Sequence, residues 1–246
     1  MPLEIYSLNL YGARKTGKTT LGLSCPKPLI VFDFEDGVSV VERQYIPDPD
    51  GITVVPIAEP LLNLPRAAKP KNAKKVWLEL LTAYNKYMED DTVKTIVFDT
   101  FTSVWELCRY ASLQDIIEET GKSRVQLQQV EHGPANRMMK NLIVQGRLHK
   151  KLIVLVHHVR NKYVTNSQGE SVQSNIQEPD GFKAAGDLVD IILYFTKDMV
   201  KIGDTVKKMP VVEIQDCRLS MAAEGLVLPT PNYETLFNLI KSLRGE

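Results

Sequence analysis

Gly12-Ala13-Arg14-Lys15-Thr16-Gly17-Lys18-Thr19 sets two glycines, a lysine and a hydroxyl residue at the spacing G-x-x-x-x-G-K-[ST], directly after the apolar stretch Ile5 to Tyr11. Residues of these types at this spacing handle phosphate. The glycines let the backbone curl so that successive N–H groups point inward at phosphate oxygens, and a helix starting near Lys18 adds its positive dipole end. In this reading Lys18 reaches the β- and γ-phosphates and Thr19 offers its hydroxyl to Mg²⁺, while Ala13, Arg14, Lys15, Thr16 and Thr20 complete the cradle. A glycine-rich turn that binds nothing is the plain alternative. The strand before the loop and the Lys-Thr pair inside it favour a nucleoside triphosphate.

Two carboxylates could complete that chemistry. Lys94 to Asp99 is an apolar strand ending in Asp99, which a strand beside the phosphate loop would place where it holds a water on the Mg²⁺ ligated by Thr19. An Asp that only caps the next turn is the alternative. Val31-Phe32-Asp33-Phe34-Glu35-Asp36-Gly37 is a second strand running into carboxylates. Breaking a γ-phosphate bond needs a group that orients and polarises water, and Glu35 on a strand flanking that of Asp99 suits the task. Glu35 and Asp36 as decoration of an exposed turn remain the alternative there.

Such residues need a sheet to hold them in register, and the chain has the pattern for one. Apolar runs at Ile5 to Tyr11, Leu29 to Phe34, Thr95 to Phe98, Leu152 to Val156 and Ile191 to Phe195 alternate with helical patterns. That alternation predicts an α/β fold with a mostly parallel sheet and flanking helices. The helix after the phosphate loop must be brief because Pro26 and Pro28 close it. Helices are predicted over Ala73 to Met88 and Pro134 to Leu148, with a last one starting at an Asn232 cap. Val200 to Ile202 and Val211 to Ile214 read as an antiparallel hairpin turned at Gly203-Asp204, and Pro65 to Lys75 as a surface loop.

The 246 residues suit a single domain spanning 1–246, with 30 basic residues balanced by 30 acidic ones. No global field draws the chain to nucleic acid or membrane, so any polyanion site is local. Cys25, Cys108 and Cys217 lie far apart, without the pairing of a disulfide framework or zinc site, which suits a reducing cytoplasm. Apolar runs such as Leu152 to Val156 are too short to span a bilayer, so no membrane role is expected.

The succession YGARKTGKTTL, VFDFEDG, TIVFDT, GPANRMMKNL, KLIVLVHHVRNK and GFKAAGDLVDIILY resembles the ATPase core of RecA-type recombinases from about Glu4 to Arg218, with 219–246 as a C-terminal tail and helix. It looks closest to the core-only versions of bacteriophages that act in recombination or single-strand annealing. The resemblance implies a RecA-like P-loop core that uses ATP and Mg²⁺, and it makes Glu35 the catalytic glutamate. His158 falls where the family carries a glutamine that senses the γ-phosphate. Lys183 falls where a family lysine crosses a subunit interface to the neighbour's nucleotide. A homo-oligomer, ring or filament, on single-stranded DNA is implied, with a single-strand DNA-binding protein as a further partner and the bacterial host cytoplasm as its setting.

By the same resemblance, DNA contact comes from two loops. The second runs from about Val159 to Asp180 and offers Arg160, Lys162 and Tyr163 before a polar tract, a mixture suited to tracking a strand. An ordinary solvent loop is the alternative. The first lies around Ile117 to Pro134 and holds Lys122 and Arg124. His157 and His158 face opposite ways on a strand, one into the core and one toward the nucleotide, so they cannot share a metal ion. Among other classes, a switch GTPase would need an Asp after Asn161-Lys162, which Val164 does not supply. A small-molecule kinase should carry an Arg-rich lid, and a remodelling ATPase a helical lid domain. A nucleotide-dependent scaffold without DNA binding stays open.

Overall fold

The computed structural model describes residues 3–46, 49–57, 61, 64–165, 168–202, 205–229 and 232–246. Eight strands form the main sheet: β1 (Ser7–Gly12), β2 (Leu29–Asp33), β3 (Ile52–Pro56), β4 (Thr95–Asp99), β5 (Leu152–Val156), β8 (Ile191–Ile202), β9 (Thr205–Cys217) and β10 (Val227–Pro229). Their order across the sheet is β10, β9, β8, β1, β5, β4, β2, β3. The strands from β8 to β3 run parallel, and β9 and β10 add antiparallel partners. A separate two-stranded ribbon, β6 (Val159–Thr165) with β7 (Ser171–Pro179), stands at the end of β5.

Of the parallel strands, β2, β4 and β5 are buried on both faces, which is why they read as unbroken apolar runs. Successive residues part to opposite cores. Ile30, Phe32, Ile96 and Phe98 pack under α3 (Lys69–Glu89), α4 (Phe101–Thr120) and α5 (His132–Leu148), while Leu29, Val31 and Val97 face the core of α1 (Lys18–Leu23) and α6 (Tyr233–Leu243). On the first face Phe32 stacks on Phe98 at 5.4 Å, and the Tyr84 hydroxyl donates to the Leu142 carbonyl at 2.7 Å. On the second, Gly22 lets α1 lie close, since a Cβ there would meet Val97 Cγ1 at 3.3 Å. Each all-buried strand contributes on the order of several kcal/mol of apolar burial, at roughly 25 cal/mol per Å².

The α/β class and the strand positions agree with the sequence reading. Asn232 caps α6 by accepting from the Thr235 N–H at 2.8 Å, and β8 pairs with β9 as an antiparallel hairpin, whose Gly203-Asp204 turn lies outside the described residues. Three expectations are corrected. The strand of Asp99 does not lie beside that of the phosphate loop, because β5 is inserted between β1 and β4. The stretch Pro65 to Lys75 is a loop only to Ala68. From Lys69 it is helix, with Pro70 in the first turn, where its missing N–H leaves no bond unmade. The segments expected as loops around Ile117 to Pro134 and Val159 to Asp180 are largely structured. The first holds the end of α4, closed by Gly121 at φ 66°, and a 3-10 turn at Gln129–Glu131. The second is the β6–β7 ribbon. α2 (Val38–Tyr45) completes the helices.

Candidate nucleotide site

The parallel strands bring their C-terminal ends to one edge, and every element of the proposed chemistry stands there. At the end of β1 the chain turns at Gly12, whose φ of 142° suits glycine and whose Cβ, if present, would lie 2.0 Å from the Phe195 carbonyl oxygen on β8. Lys15 at φ 58° and Gly17 at φ 96° carry the curl on, and Gly17 caps α1 without a side-chain bond, leaving the helix N–H groups open toward the loop. Thr16 is buried and ties the loop by donating to the Ala13 carbonyl at 2.7 Å. Ala13, Arg14 and Lys15 are exposed along its outer side, and Thr20 lies in the first turn of α1.

Lys18 folds back over the loop, its Nζ donating to the carbonyls of Gly12 at 2.9 Å and Ala13 at 2.8 Å. Its pKa is lowered, because partial burial disfavours the ammonium. A phosphate would supply the negative charge that two neutral carbonyls do not.

Thr19, the second residue of α1, donates its hydroxyl to Asp99 Oδ2 at 2.7 Å, across the end of β5. Insertion of β5 therefore separates the two strands without separating the two side chains. Burial pushes the Asp99 carboxyl up to about 6, with Asp33 and Glu35 adding to the rise and the Thr19 hydroxyl and Lys18 opposing it. A hydroxyl and a desolvated carboxylate side by side make a hard-oxygen pair short of positive charge. That donor set fits Mg²⁺.

Glu35 stands beyond β2, which pairs directly with β4 so that Asp33 lies opposite Asp99. Asp33 is buried and shapes the turn that presents Glu35, accepting from the backbone N–H of Glu35 through Oδ1 and of Val38 through Oδ2, each at 3.1 Å. Glu35 Oε1 meets His158 Nε2 at 2.5 Å. That hydrogen bond, ahead of the charges of His158, Arg14 and Lys18, holds the Glu35 carboxyl below the ordinary glutamate value. Sequence reasoning identified Glu35 and His158 separately and missed both their pairing and the shaping role of Asp33.

The two histidines divide as expected. His157 is fully buried, edge-on to Phe101 at 5.4 Å, and desolvation lowers its pKa to about 4. His158 turns to Glu35. Both are fastened to the ribbon's root: the His158 N–H donates to Thr102 Oγ1 at 3.0 Å, whose hydroxyl donates to the Asp180 carbonyl at 2.7 Å, while His157 Nδ1 lies 3.0 Å from that same oxygen. Arg160 is held within the ribbon by Glu178 at 3.0 Å and Asp180 at 3.5 Å. Lys162 and Tyr163 are exposed further out, Tyr163 by 63%. Lys183 opens a 3-10 turn at Lys183–Leu188 and is exposed, away from any ion pair among the described residues.

No group of three or more His, Cys, Asp and Glu that could hold a metal occurs among the described residues. No described helix is long and apolar enough to cross a membrane. The family model described as AAA domain matches residues 5–222. No curated protein matches the chain.

Proposed function

The chain belongs to the AAA domain family, and from that premise we propose that it hydrolyses ATP with Mg²⁺ and couples turnover to single-stranded DNA, as a RecA-like protein of phage recombination or annealing type. The observation that carries the ATPase reading is the Thr19–Asp99 bond of 2.7 Å with Glu35 presented from the neighbouring strand. The N–H groups of the loop and Lys18 would hold the phosphates, and Thr19 and Asp99 would hold the metal. When bound, Mg²⁺ supplies positive charge against the β- and γ-phosphate oxygens. Glu35 then orients a water and accepts its proton as the γ-phosphate bond breaks, while His158 keeps the carboxylate ionised and fixed in direction.

Support for the DNA reading is positional. The ribbon rises from His158, so one backbone touches both the water-orienting carboxylate and the exposed Lys162 and Tyr163. Cation and ring together suit phosphate and base stacking. One observation favours the alternative of an ATPase without DNA: Arg160 is already neutralised by Glu178 and Asp180. ATP turnover measured with and without a single-stranded oligonucleotide at low salt separates them. Under the DNA reading wild-type turnover rises on adding the strand, Lys18→Ala loses nucleotide binding or turnover, and Glu35→Gln binds ATP and fails to hydrolyse it. Turnover indifferent to DNA leaves the alternative; wild-type turnover by Glu35→Gln removes Glu35 from its role.

A further inference from the structure

A second cluster of cations lies along α4, away from the nucleotide. A cavity of about 210 Å³ is lined by Arg66, by Arg109 and Tyr110 of α4, and by Val125 to Leu127. No carboxylate lines it among the described residues. Arg124, Arg147 and Arg160 each hold an acidic partner, whereas Arg66 and Arg109 enter no ion pair among the described residues. The Nε of Arg109 is buried with no hydrogen-bond partner among the described residues. A charged donor left without an acceptor is costly, even on a partly buried side chain. Lys69 adds a third cation, its Nζ 5.9 Å from the centre of the Tyr110 ring.

We propose that this cavity is an anion site that takes one phosphate group, carried by a small phosphomonoester or by the phosphorylated end of a larger molecule. Two guanidiniums match the oxygens of a phosphate in forked pairs, and the Tyr110 hydroxyl and Gln126 amide can complete its shell. The volume is below the roughly 300 Å³ at which pockets begin to enclose a whole ligand, so the site grips a head group and leaves the rest outside. Arg109 lies about 12 Å along α4 from Phe101, at a rise of about 1.5 Å per residue, so this is not the phosphate loop seen from behind.

Trp105 reports occupancy, because the Arg109 guanidinium lies 5.9 Å from its ring centre. Inorganic phosphate is titrated into protein saturated with Mg²⁺ and a non-hydrolysable ATP analogue, so that the loop is already filled, and tryptophan fluorescence is followed. A saturable change is expected, weakened about tenfold in Arg66→Ala and in Arg109→Lys, as loss of one charge-assisted bond implies. Arg66 is exposed, so its variant tests the site without endangering the fold, and basal ATP turnover stays at the wild-type value in both. Glycerol phosphate binding more tightly than a 5′-phosphorylated oligonucleotide assigns a small ligand. The reverse, with loss of binding for the same oligonucleotide bearing a 5′-hydroxyl, assigns a strand end. No saturable change with phosphate, or either variant binding it as the wild type does, overturns the proposal.

Discussion

At the scale of single residues the site balances two carboxylates of opposite tuning. The Glu35 pKa is lowered by its bond to His158, whereas that of Asp99 is raised to about 6 by burial. A depressed pKa keeps Glu35 ionised below the ordinary glutamate range, as the water-orienting role proposed for it requires. His158→Ala removes the main cause of that depression, so the acid limb of the kcat/KM profile for ATP should move to higher pH; an unmoved limb would separate His158 from the base. For Asp99 the sign is opposite. Its folded pKa exceeds the unfolded one of about 3.9, so its contribution to stability is fullest below that value, declines as pH rises to about 6, and stays low above. Asp99→Asn should therefore stabilise the metal-free fold at pH 7.5 by about 1–3 kcal/mol in urea unfolding while abolishing Mg²⁺-dependent turnover. A destabilised Asn variant would show that the Thr19 hydrogen bond outweighs the buried charge. The loop, Asp99 and Glu35 were legible because each is a local string after an apolar run. The Glu35–His158 contact spans 123 residues and was not, since only the folded sheet closes that distance.

Among the elements, legibility followed the physical origin of each pattern. Strands buried on both faces announce themselves as apolar runs, and β5 was read to the residue. α4 was missed because its buried residues Phe101, Val104, Leu107, Cys108 and Ala111 share one face while Tyr110, Leu113 and Ile117 put apolar side chains on the other, leaving no clean helical period. The β6–β7 ribbon was missed for the reverse reason: it is mostly exposed on both faces, so nothing forces apolar and polar residues to alternate. Its two layers of bonding suggest a separable tip. Arg160, Glu178 and Asp180 brace the root, while further out the Ser174 hydroxyl donates to the Lys162 carbonyl at 2.8 Å. Joining Lys162 to Ser174 through Asn-Gly should leave thermal unfolding and basal ATP turnover close to wild type and remove stimulation by single-stranded DNA. If basal turnover falls with the tip, the ribbon beyond Lys162 belongs to the ATP site itself.

For the whole molecule, what remains is whether one chain holds everything the reaction needs. Glu35, Asp99 and Thr19 converge within one chain, yet Lys183 is exposed with no anion beside it among the described residues. Its turn begins two residues after Gly181, where the chain passes Thr102 so closely that a Cβ at Gly181 would lie 3.3 Å from the Thr102 Cα. Lys183 is thus carried at a fixed place beside the site while its ammonium stays in solvent. In an oligomer a cation so placed would be free to reach a neighbouring subunit's nucleotide at little cost, and thirty positive charges balanced by thirty negative ones give copies of the chain no reason to repel. Charge delivered from a neighbour in this way is worth up to about a thousandfold or more in turnover. Lys183→Ala and Glu35→Gln proteins should each be nearly inactive alone and should regain ATP turnover when mixed, because mixed interfaces pair an intact Glu35 with an intact Lys183. The regained fraction should follow the mixing ratio and peak near equal amounts. Inactivity at every ratio, or a strictly monomeric protein by light scattering with ATP and DNA present, would return Lys183 to the surface as an ordinary solvated lysine.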